Sequence, residues 1–149
     1  MADIELIKEL RDRTGLSVAA INKALDEAGG DEEKALKALE ALGGVAAAKK
    51  ADRELKDGVV EAYIHSNRKL GAMIELACET DFVARNDEFL ALAKDLAMHA
   101  AAMKPASVRE MLEQPYVKEP DVTVQNLIER AVAKLGENIQ LTELSIIAI

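Results

Sequence analysis

The sequence is poor in the residues on which redox and nucleic-acid functions depend. A single cysteine among 149 residues excludes an internal disulfide and leads us to expect a reducing, cytoplasmic location. The net charge of −8 argues against direct binding to the phosphate backbone of a nucleic acid. Tryptophan is absent, and the chain has only two phenylalanines, two tyrosines and three prolines.

Long hydrophobic runs are also absent. No stretch approaches the roughly 18–20 apolar residues of a membrane span, so we expect no association with a membrane. The first residues lack a basic segment followed by an apolar one, so neither a signal nor a transit peptide is expected. A chain of 149 residues can hold one moderate core, or a small helical module and a core domain.

Residues 4–42 have hydrophobic side chains at spacings of three and four, which predicts amphipathic helices. Each helical segment begins after a residue that can cap it: Asp3, Ser17 and Asp31. Each is expected to end at a glycine: Gly15, Gly29 and Gly43. We therefore predict a three-helix module in residues 1–44, followed by an Ala- and Lys-rich helical connector in residues 45–57.

From residue 58 the hydrophobic spacing changes to alternation, which predicts strands. Three strands are expected, at residues 58–64, 70–78 and 139–149. Helices are expected at residues 86–103 and 123–135, and the proline-containing stretch between them is expected to be irregular apart from one short helix. The fold class is α+β, with a core domain in residues 58–149 whose three-stranded antiparallel sheet is covered by helices.

The sequence contains no pattern typical of an active site or a metal site. His65 and His99 are far apart, and neither has cysteine or carboxylate partners at the spacing of metal ligands. Cys78 lies on the apolar side of its strand, where burial raises the pKa of a thiol. We expect no catalytic residue, no metal and no cofactor. The alternative is a thiol-dependent enzyme, which Cys78→Ser would reveal by loss of activity.

The most informative segment joins the second strand to the long helix, and consists of Thr80, Asp81, Phe82, Val83, Ala84 and Arg85. It places one of only two phenylalanines in a connection, beside a carboxylate. Burying a phenylalanine is worth roughly 1.5–3 kcal/mol. Phe82 therefore either packs beneath the helix as part of the core or is presented to a partner.

The stretch from Ile74 to Asn86 resembles the core-domain motif of the bacterial translation elongation factor Ts family. Further matches follow in order along the chain: Leu10-Arg11, Thr14-Gly15, Lys23-Ala24-Leu25, residues 46–53 and Gly136-Glu137-Asn138-Ile139. The resemblance covers about residues 4–139. It implies a guanine nucleotide exchange factor that binds elongation factor Tu and promotes release of GDP, without enzymatic chemistry of its own.

The resemblance also implies how the motif acts. In the family, an Asp-Phe pair enters between two helices of the G domain of elongation factor Tu and disturbs the Mg²⁺ and phosphate site. Carried over to this sequence, Phe82 is the wedge and Asp81 is the polar group beside it. Thr80, Val83 and Ala84 would hold the turn and line the contact.

The family has a ubiquitin-associated-like module at the position of residues 1–44, which also docks on the G domain. The residues that correspond here are Thr14, Gly15, Val18, Ala19 and Lys23, and Val18 and Ala19 stand where the family motif has methionines. The alternative function is a ubiquitin-associated-like protein-binding module of another translation or nascent-chain factor. That alternative accounts for residues 4–42 but leaves residues 80–84 unexplained.

The final strand predicts a surface for self-association. Apolar residues point to both of its faces: Ile147 and Ile149 to one, and Leu144, Ile146 and Ala148 to the other. A strand covered on one side only is expected to be polar on its outer face. We therefore expect a homodimer through the sheets, with Leu144, Ile146 and Ala148 at the interface, unless a helix of the same chain covers them. The resemblance agrees, because family members with one core copy pair.

Overall fold

A computed structural model of the chain describes residues 3–149. The helices are α1 (Ile4–Thr14), α2 (Val18–Glu27), α3 (Glu32–Lys50), α4 (Asp81–Ala84), α5 (Asp87–Met103), α6 (Val108–Glu113) and α7 (Val124–Leu135). The strands are β1 (Asp57–Ile64), β2 (Leu70–Cys78), β3 (Pro115–Tyr116), β4 (Glu119–Thr123) and β5 (Gln140–Ala148). Within residues 3–149, each helix is too short or too polar to traverse a lipid bilayer.

The first three helices begin where the sequence indicated. Asp3, Ser17 and Asp31 each accept a hydrogen bond from a backbone N–H in the first turn of the helix that follows. The three helices enclose a small core of their own, formed by Leu10, Ile21, Ala24, Leu25, Ala35 and Leu39. The predicted helical N-terminal region is confirmed, and its ubiquitin-associated-like character stays a prediction.

Helix α3 is longer than the sequence indicated. It continues through Gly43 and Gly44 as far as Lys50, so the predicted end at Gly43 is wrong. The helix packs against α7, and Gly44 lies beside the carboxylate of Glu129, whose Oε2 would be 3.3 Å from a Cβ atom there. The Ala-rich residues that follow are strong helix formers. The division at residues 44 and 45 thus falls inside a helix, and the domain boundaries stay a prediction.

The three-stranded antiparallel sheet is confirmed, with the order β1-β2-β5. Helix α5 lies across one face of the sheet and contacts both β1 and β2. The fully buried side chains Phe89 and Leu96 of α5 share one core with Ile74 and Leu76 of β2. The predicted α+β fold is therefore correct.

Strands β3 and β4 form a second, two-stranded sheet in a region expected to be irregular. Buried His99 on α5 holds this hairpin: Val117 N–H donates to Nδ1 at 3.2 Å, and Nε2 donates to Gln114 Oε1 at 2.9 Å. The imidazole also stacks on Tyr116, with ring centroids 5.7 Å apart. Burial lowers the pKa of His99. The ring is therefore neutral, with its proton on Nε2.

Ion pairs join the N-terminal helices to the core. Arg130 on α7 lies 2.5 Å from Glu40 of α3 and 2.9 Å from Glu119 of β4. Arg13 of α1 reaches the same Glu119 at 3.2 Å. Burial alone raises the pKa of Glu119, but hydrogen bonds from Arg130 and Arg13 outweigh it and the net shift is downward. These charges fix α1 and α3 against α7.

Candidate functional site

Residues 80–84 form a single helical turn at the end of β2. Thr80 is the N-cap of α4, and its hydroxyl accepts a hydrogen bond from Val83 N–H at 3.4 Å. Val83 and Ala84 are buried in the core of the sheet domain, which anchors the second half of the turn. Asp81 forms an ion pair with Arg85 one turn later.

Phe82 lies on the outer side of this turn and is 82% exposed. The interpretation that it packs beneath the helix is therefore wrong for this chain, because the core position is taken by fully buried Phe89. A large apolar ring is held in solvent on a turn whose neighbours are anchored. A phenyl ring presented in this way is available as an aromatic anchor for a contact with another protein.

The carboxylate of Glu137 binds the chain just before α4. Its Oε1 accepts hydrogen bonds from the backbone N–H groups of Glu79 and Thr80, both at 3.0 Å. Its Oε2 accepts a hydrogen bond from Thr80 Oγ1 at 2.6 Å. In return, Glu79 Oε2 accepts a hydrogen bond from Asn138 N–H at 2.7 Å. Each glutamate therefore binds the backbone beside the other, and two segments 57 residues apart meet.

Asn138 extends this network to the segment after α3. Its side-chain amide donates to the carbonyl oxygens of Ala51 at 3.3 Å and Arg53 at 2.8 Å. The guanidinium of Arg53 lies 3.6 Å from the Glu79 carboxylate. In the sequence these residues belong to separate motifs, and no local signal tells which backbone groups a distant glutamate will bind. The matching order of the motifs along the chain was the only indication that they belong together.

Cys78 lies beneath the same turn and is fully buried. Its thiol donates a hydrogen bond to the carbonyl oxygen of Thr80 at 3.2 Å. Burial raises the pKa of the Cys78 thiol to about 11, and the carboxylates of Glu137 and Asp57 add to the effect. A protonated thiol is a poor nucleophile, which argues against the thiol-dependent enzyme. In the described part of the chain, histidine, cysteine and carboxylate side chains form no group of three that could bind a metal ion.

Two of the candidate residues in the N-terminal module face the protein itself. Thr14 is buried, and its hydroxyl donates to the carbonyl oxygen of Leu10 at 2.7 Å. Gly15 ends α1 with a φ of +71°, and a Cβ atom there would lie 2.9 Å from backbone atoms of Lys134. Gly15 therefore allows the end of α1 to approach α7 closely, whereas the Thr14 hydroxyl bonds within α1.

The other three candidates lie on the surface of α2. Val18, Ala19 and Lys23 are all exposed, and Lys23 lies 3.9 Å from Glu27. A groove between α2 and α3 runs beside them, and Leu42 and Val45 on its rim are 48% and 55% exposed. This side of the module presents apolar surface next to a lysine.

The face of the three-stranded sheet opposite α5 is apolar and open. The large hydrophobic residues on this open face are between 50% and 97% exposed: Val60, Ile64, Met73, Ile147 and Ile149. Gly71 lies between Ile64 and Ile147 in the register of the strands. Because Gly71 has no side chain, a depression of about 280 Å³ forms there.

The residues of β5 that were expected at an interface lie on the opposite side of the strand. Leu144 and Ile146 are half-buried and pack against the core, so they are covered within the chain, which is the alternative that the sequence left open. Ala148 is paired with Leu70 on that same side. The open face carries Ile147 and Ile149 instead.

Comparison with known proteins gives consistent similarities. A family model described as "Elongation factor TS" matches residues 79–149, the stretch that contains α4 and Glu137. The chain is 39% identical to elongation factor Ts of Carboxydothermus hydrogenoformans over 186 residues, which covers 95% of this chain and 86% of that protein. It is 40% identical to elongation factor Ts of Heliobacterium modesticaldum, again over 186 residues, with 95% and 86% covered.

A third relative is elongation factor Ts of Fervidobacterium nodosum, 38% identical over 183 residues, which covers 93% of each chain. These matched stretches are longer than the 149 residues of this chain. The relatives therefore contain residues that have no counterpart here.

Proposed function

This chain belongs to the elongation factor Ts family, and from that premise we propose that it is a guanine nucleotide exchange factor for elongation factor Tu. It binds elongation factor Tu and promotes release of GDP during translation elongation, in the cytoplasm. The single observation that carries the proposal is Phe82, an 82% exposed phenyl ring on a turn that is anchored on both sides.

An exchange factor requires no bond-making or bond-breaking residue. It must bind the nucleotide-free GTPase more tightly than the nucleotide-bound one. By linkage, the affinity of the GTPase for its nucleotide then falls by the same ratio when the exchange factor is bound. GDP and Mg²⁺ are held by backbone amides, a helix N-terminus and a few side chains of the GTPase. A small displacement of those groups is therefore enough to weaken the binding of GDP. The buried, protonated Cys78 is consistent with a protein that is not an enzyme.

In this proposal, Phe82 enters between two helices of the G domain and disturbs the Mg²⁺ and phosphate site. Burying its ring in the partner recovers roughly 1.5–3 kcal/mol, which the free chain leaves in solvent. Asp81 enters beside the ring, and its ion pair with Arg85 is either kept or broken on insertion. Val83 and Ala84 keep the turn attached to the core while the ring is inserted.

The N-terminal module supplies a second contact with the G domain through α2. The exposed side chains of Val18, Ala19 and Lys23, with the apolar groove beside them, support this assignment. Gly15 acts indirectly, because it lets α1 pack against α7 and so sets where α2 stands relative to α4, and Thr14 supports the end of α1 through its bond to Leu10.

The proposal also includes a homodimer formed through the open face of the sheet. A second copy would cover hydrophobic side chains that are otherwise exposed, among them Met73, Ile147 and Ile149. An uncovered apolar sheet face is prone to association. In a symmetric dimer the same face of each copy is buried against the other, so the contact is closed and the face is no longer open to further association.

Release of fluorescently labelled GDP from elongation factor Tu tests the exchange function. Substoichiometric amounts of this protein are expected to accelerate release, because one molecule can act on many partners in turn. Absence of acceleration with a matched elongation factor Tu would refute the function. A parallel pull-down with elongation factor Tu and with ubiquitin distinguishes it from a ubiquitin-associated-like binding module.

A further inference from the structure

We propose that Glu137 is a positioning residue for nucleotide exchange, which holds Thr80 so that α4 presents Phe82 in one fixed direction. This inference rests on the exchange function proposed above and adds a residue that lies outside the Thr80–Ala84 turn. Glu137 acts through Thr80, to which it is bound by two hydrogen bonds.

Helix α4 is too short to be stable by itself. It has only four residues, and isolated helices shorter than about 12 residues are marginal in water. Burial anchors its second half through Val83 and Ala84. The first half, which carries Phe82, is at the surface, and there Glu137 binds the chain through the backbone N–H of Glu79 and of Thr80 and through the Thr80 hydroxyl.

The hydroxyl of Thr80 connects the carboxylate to the helix. It donates its proton to Glu137 Oε2 at 2.6 Å and accepts a hydrogen bond from Val83 N–H at 3.4 Å. A hydroxyl has one proton, so donating it to the carboxylate leaves the lone pairs for the N–H groups of α4. Hydrogen bonds to a charged acceptor are short and strong. Glu137 thereby sets the orientation of the N-cap.

This arrangement requires an N-cap side chain that both accepts and donates a hydrogen bond, which the Thr80 hydroxyl does. Aspartate and asparagine are at least as good as threonine as N-caps in general. At this position, however, the cap must also donate a proton to a carboxylate, and an ionised aspartate has none to give. Serine retains both functions of the hydroxyl.

Glu137 is itself held in place. Gly136 ends α7 in a left-handed conformation, with a φ of +76°. Asn138 is bound on the other side by the carbonyl oxygens of Ala51 and Arg53, and its N–H donates to Glu79. A carboxylate with fixed neighbours on both sides can fix the turn that it binds.

A double-mutant cycle separates positioning from general structural support. The maximum rate of GDP release at saturating factor is measured for wild type, Glu137→Ala, Phe82→Ala and the double variant. We expect Glu137→Ala to lower this rate by about tenfold in wild type, but by less than about twofold when Phe82 is already absent, since residues coupled through one hydrogen-bonded turn are not additive. An equal loss in both backgrounds would show a merely structural role and overturn the proposal.

Three further variants sharpen the test. Glu110→Ala is the matched control, because its carboxylate also accepts a backbone N–H, that of Ala106, in another loop at 3.0 Å. It is expected to leave the rate of GDP release unchanged. Thr80→Ser, which keeps the hydroxyl, should lose less of the rate than Thr80→Asp, which should lose about as much as Glu137→Ala although aspartate is a good N-cap. A fully active Thr80→Asp variant would contradict the proposal.

A measurement without the partner completes the design. In the free chain, Glu137→Ala is expected to speed amide hydrogen exchange of Ala84 and Arg85, whose N–H groups bond within α4, and to leave the amides of β2 protected. Glu137→Gln keeps an acceptor for the backbone N–H groups and should show a smaller effect. It replaces Glu137→Ala in this measurement if the alanine variant is poorly folded. Unchanged protection of Ala84 and Arg85 in both variants would overturn the positioning role.

The two proposals fail in different ways. If wild type does not accelerate GDP release, the exchange function fails, and amide hydrogen exchange still decides whether Glu137 holds α4. If wild type is active and Phe82→Ala is impaired while Glu137→Ala is not, the exchange function stands and the positioning role is wrong.

Discussion

Phe82 and Phe89 flank the N-cap of α5 and have opposite environments. The ring of Phe82 is 82% exposed, whereas that of Phe89 is fully buried. Asn86 separates them: its side chain accepts hydrogen bonds from the backbone N–H groups of Glu88 and Phe89 and so begins α5. The same residue type therefore stabilises the fold at one position and is available to a partner at the other.

Phe82→Ala is expected to reduce GDP release from elongation factor Tu by tenfold or more, on the order of 1.4 kcal/mol of lost coupling. The thermal midpoint of the free protein should scarcely change, because the exposed ring contributes little to the core. Stopped-flow release of labelled GDP and calorimetry measure the two effects. A variant that loses several kcal/mol of stability would show that Phe82 belongs to the core after all.

Phe89→Ala is the matched control and should behave in the opposite way. Removing a buried phenylalanine costs roughly 3–5 kcal/mol of unfolding free energy. Any loss of exchange activity in this variant should follow the fraction of unfolded protein. Full stability of Phe89→Ala in urea denaturation would contradict the packing described for α5.

Ile147→Asp is expected to convert the proposed dimer into folded monomers. Ile147 is 72% exposed on the open face of the sheet, so a charge there opposes association without disturbing the core. Light scattering should give twice the mass of one 16.1 kDa chain for wild type and a single-chain mass for the variant. If wild type keeps the mass of one chain as its concentration rises, the dimer is ruled out.

Ile146→Asp, one residue earlier on the same strand, provides the comparison. Ile146 packs against the core, so a carboxylate there is desolvated without a partner and should unfold the domain. Circular dichroism distinguishes an unfolded variant from a folded monomer. A folded, monomeric Ile146→Asp would instead place the interface on the side of β5 that also carries Leu144.

Local sequence patterns predicted most of the elements, because caps and hydrophobic spacing act within a few residues. Thr123 and Gly136 delimit α7 as expected, and its capping box is complete. The predictions that were wrong failed because of contacts between elements that are distant in the sequence. Gly43 does not end α3, because the packing of that helix against α7 outweighs the low helix propensity of glycine.

The candidate site, too, could be predicted only in part from the sequence. The motif from Thr80 to Ala84 was recognisable in the sequence, but the exposure of Phe82 follows from the occupation of the core by other side chains. The bonds between Glu137 and Thr80 join residues 57 positions apart, and pairing at that distance depends on the completed fold. Leu144 and Ile147 could not be assigned to the two faces of the sheet until the position of α5 was known.

Arg130→Met is expected to cost on the order of 3 kcal/mol of unfolding free energy, because it leaves Glu40 and Glu119 desolvated without their common partner. The side chains of Arg130 and Glu40 are only 11% and 15% exposed. Urea denaturation measures the loss. Arg109→Met is the control: its side chain is 91% exposed, and it should cost less than about 0.5 kcal/mol. Equal losses would mean that the ion pairs do not join the module to the core.

His99 should make the stability of the protein depend on pH. Burial lowers its pKa from 6.5, so the folded protein keeps the ring neutral where the unfolded chain already binds a proton. Protonation would also cost the acceptor that Nδ1 provides to Val117 N–H. The free energy of unfolding should therefore be constant above pH 6.5 with respect to this group and fall as the pH decreases from 6.5 towards the lowered pKa.

Urea denaturation of wild type and His99→Gln at about pH 7.5 and about pH 5.5 tests this dependence. Glu119 does not interfere, because its pKa is lowered from 4.5 and its contribution to stability is lost only at a more acidic pH. Wild type should lose stability between the two pH values, and His99→Gln, though less stable at both, should lose less. Since the imidazole holds Gln114 and Val117, the loss should begin in the β3–β4 hairpin, where amide hydrogen exchange would detect it first. An equal loss in both proteins would show that another group is responsible.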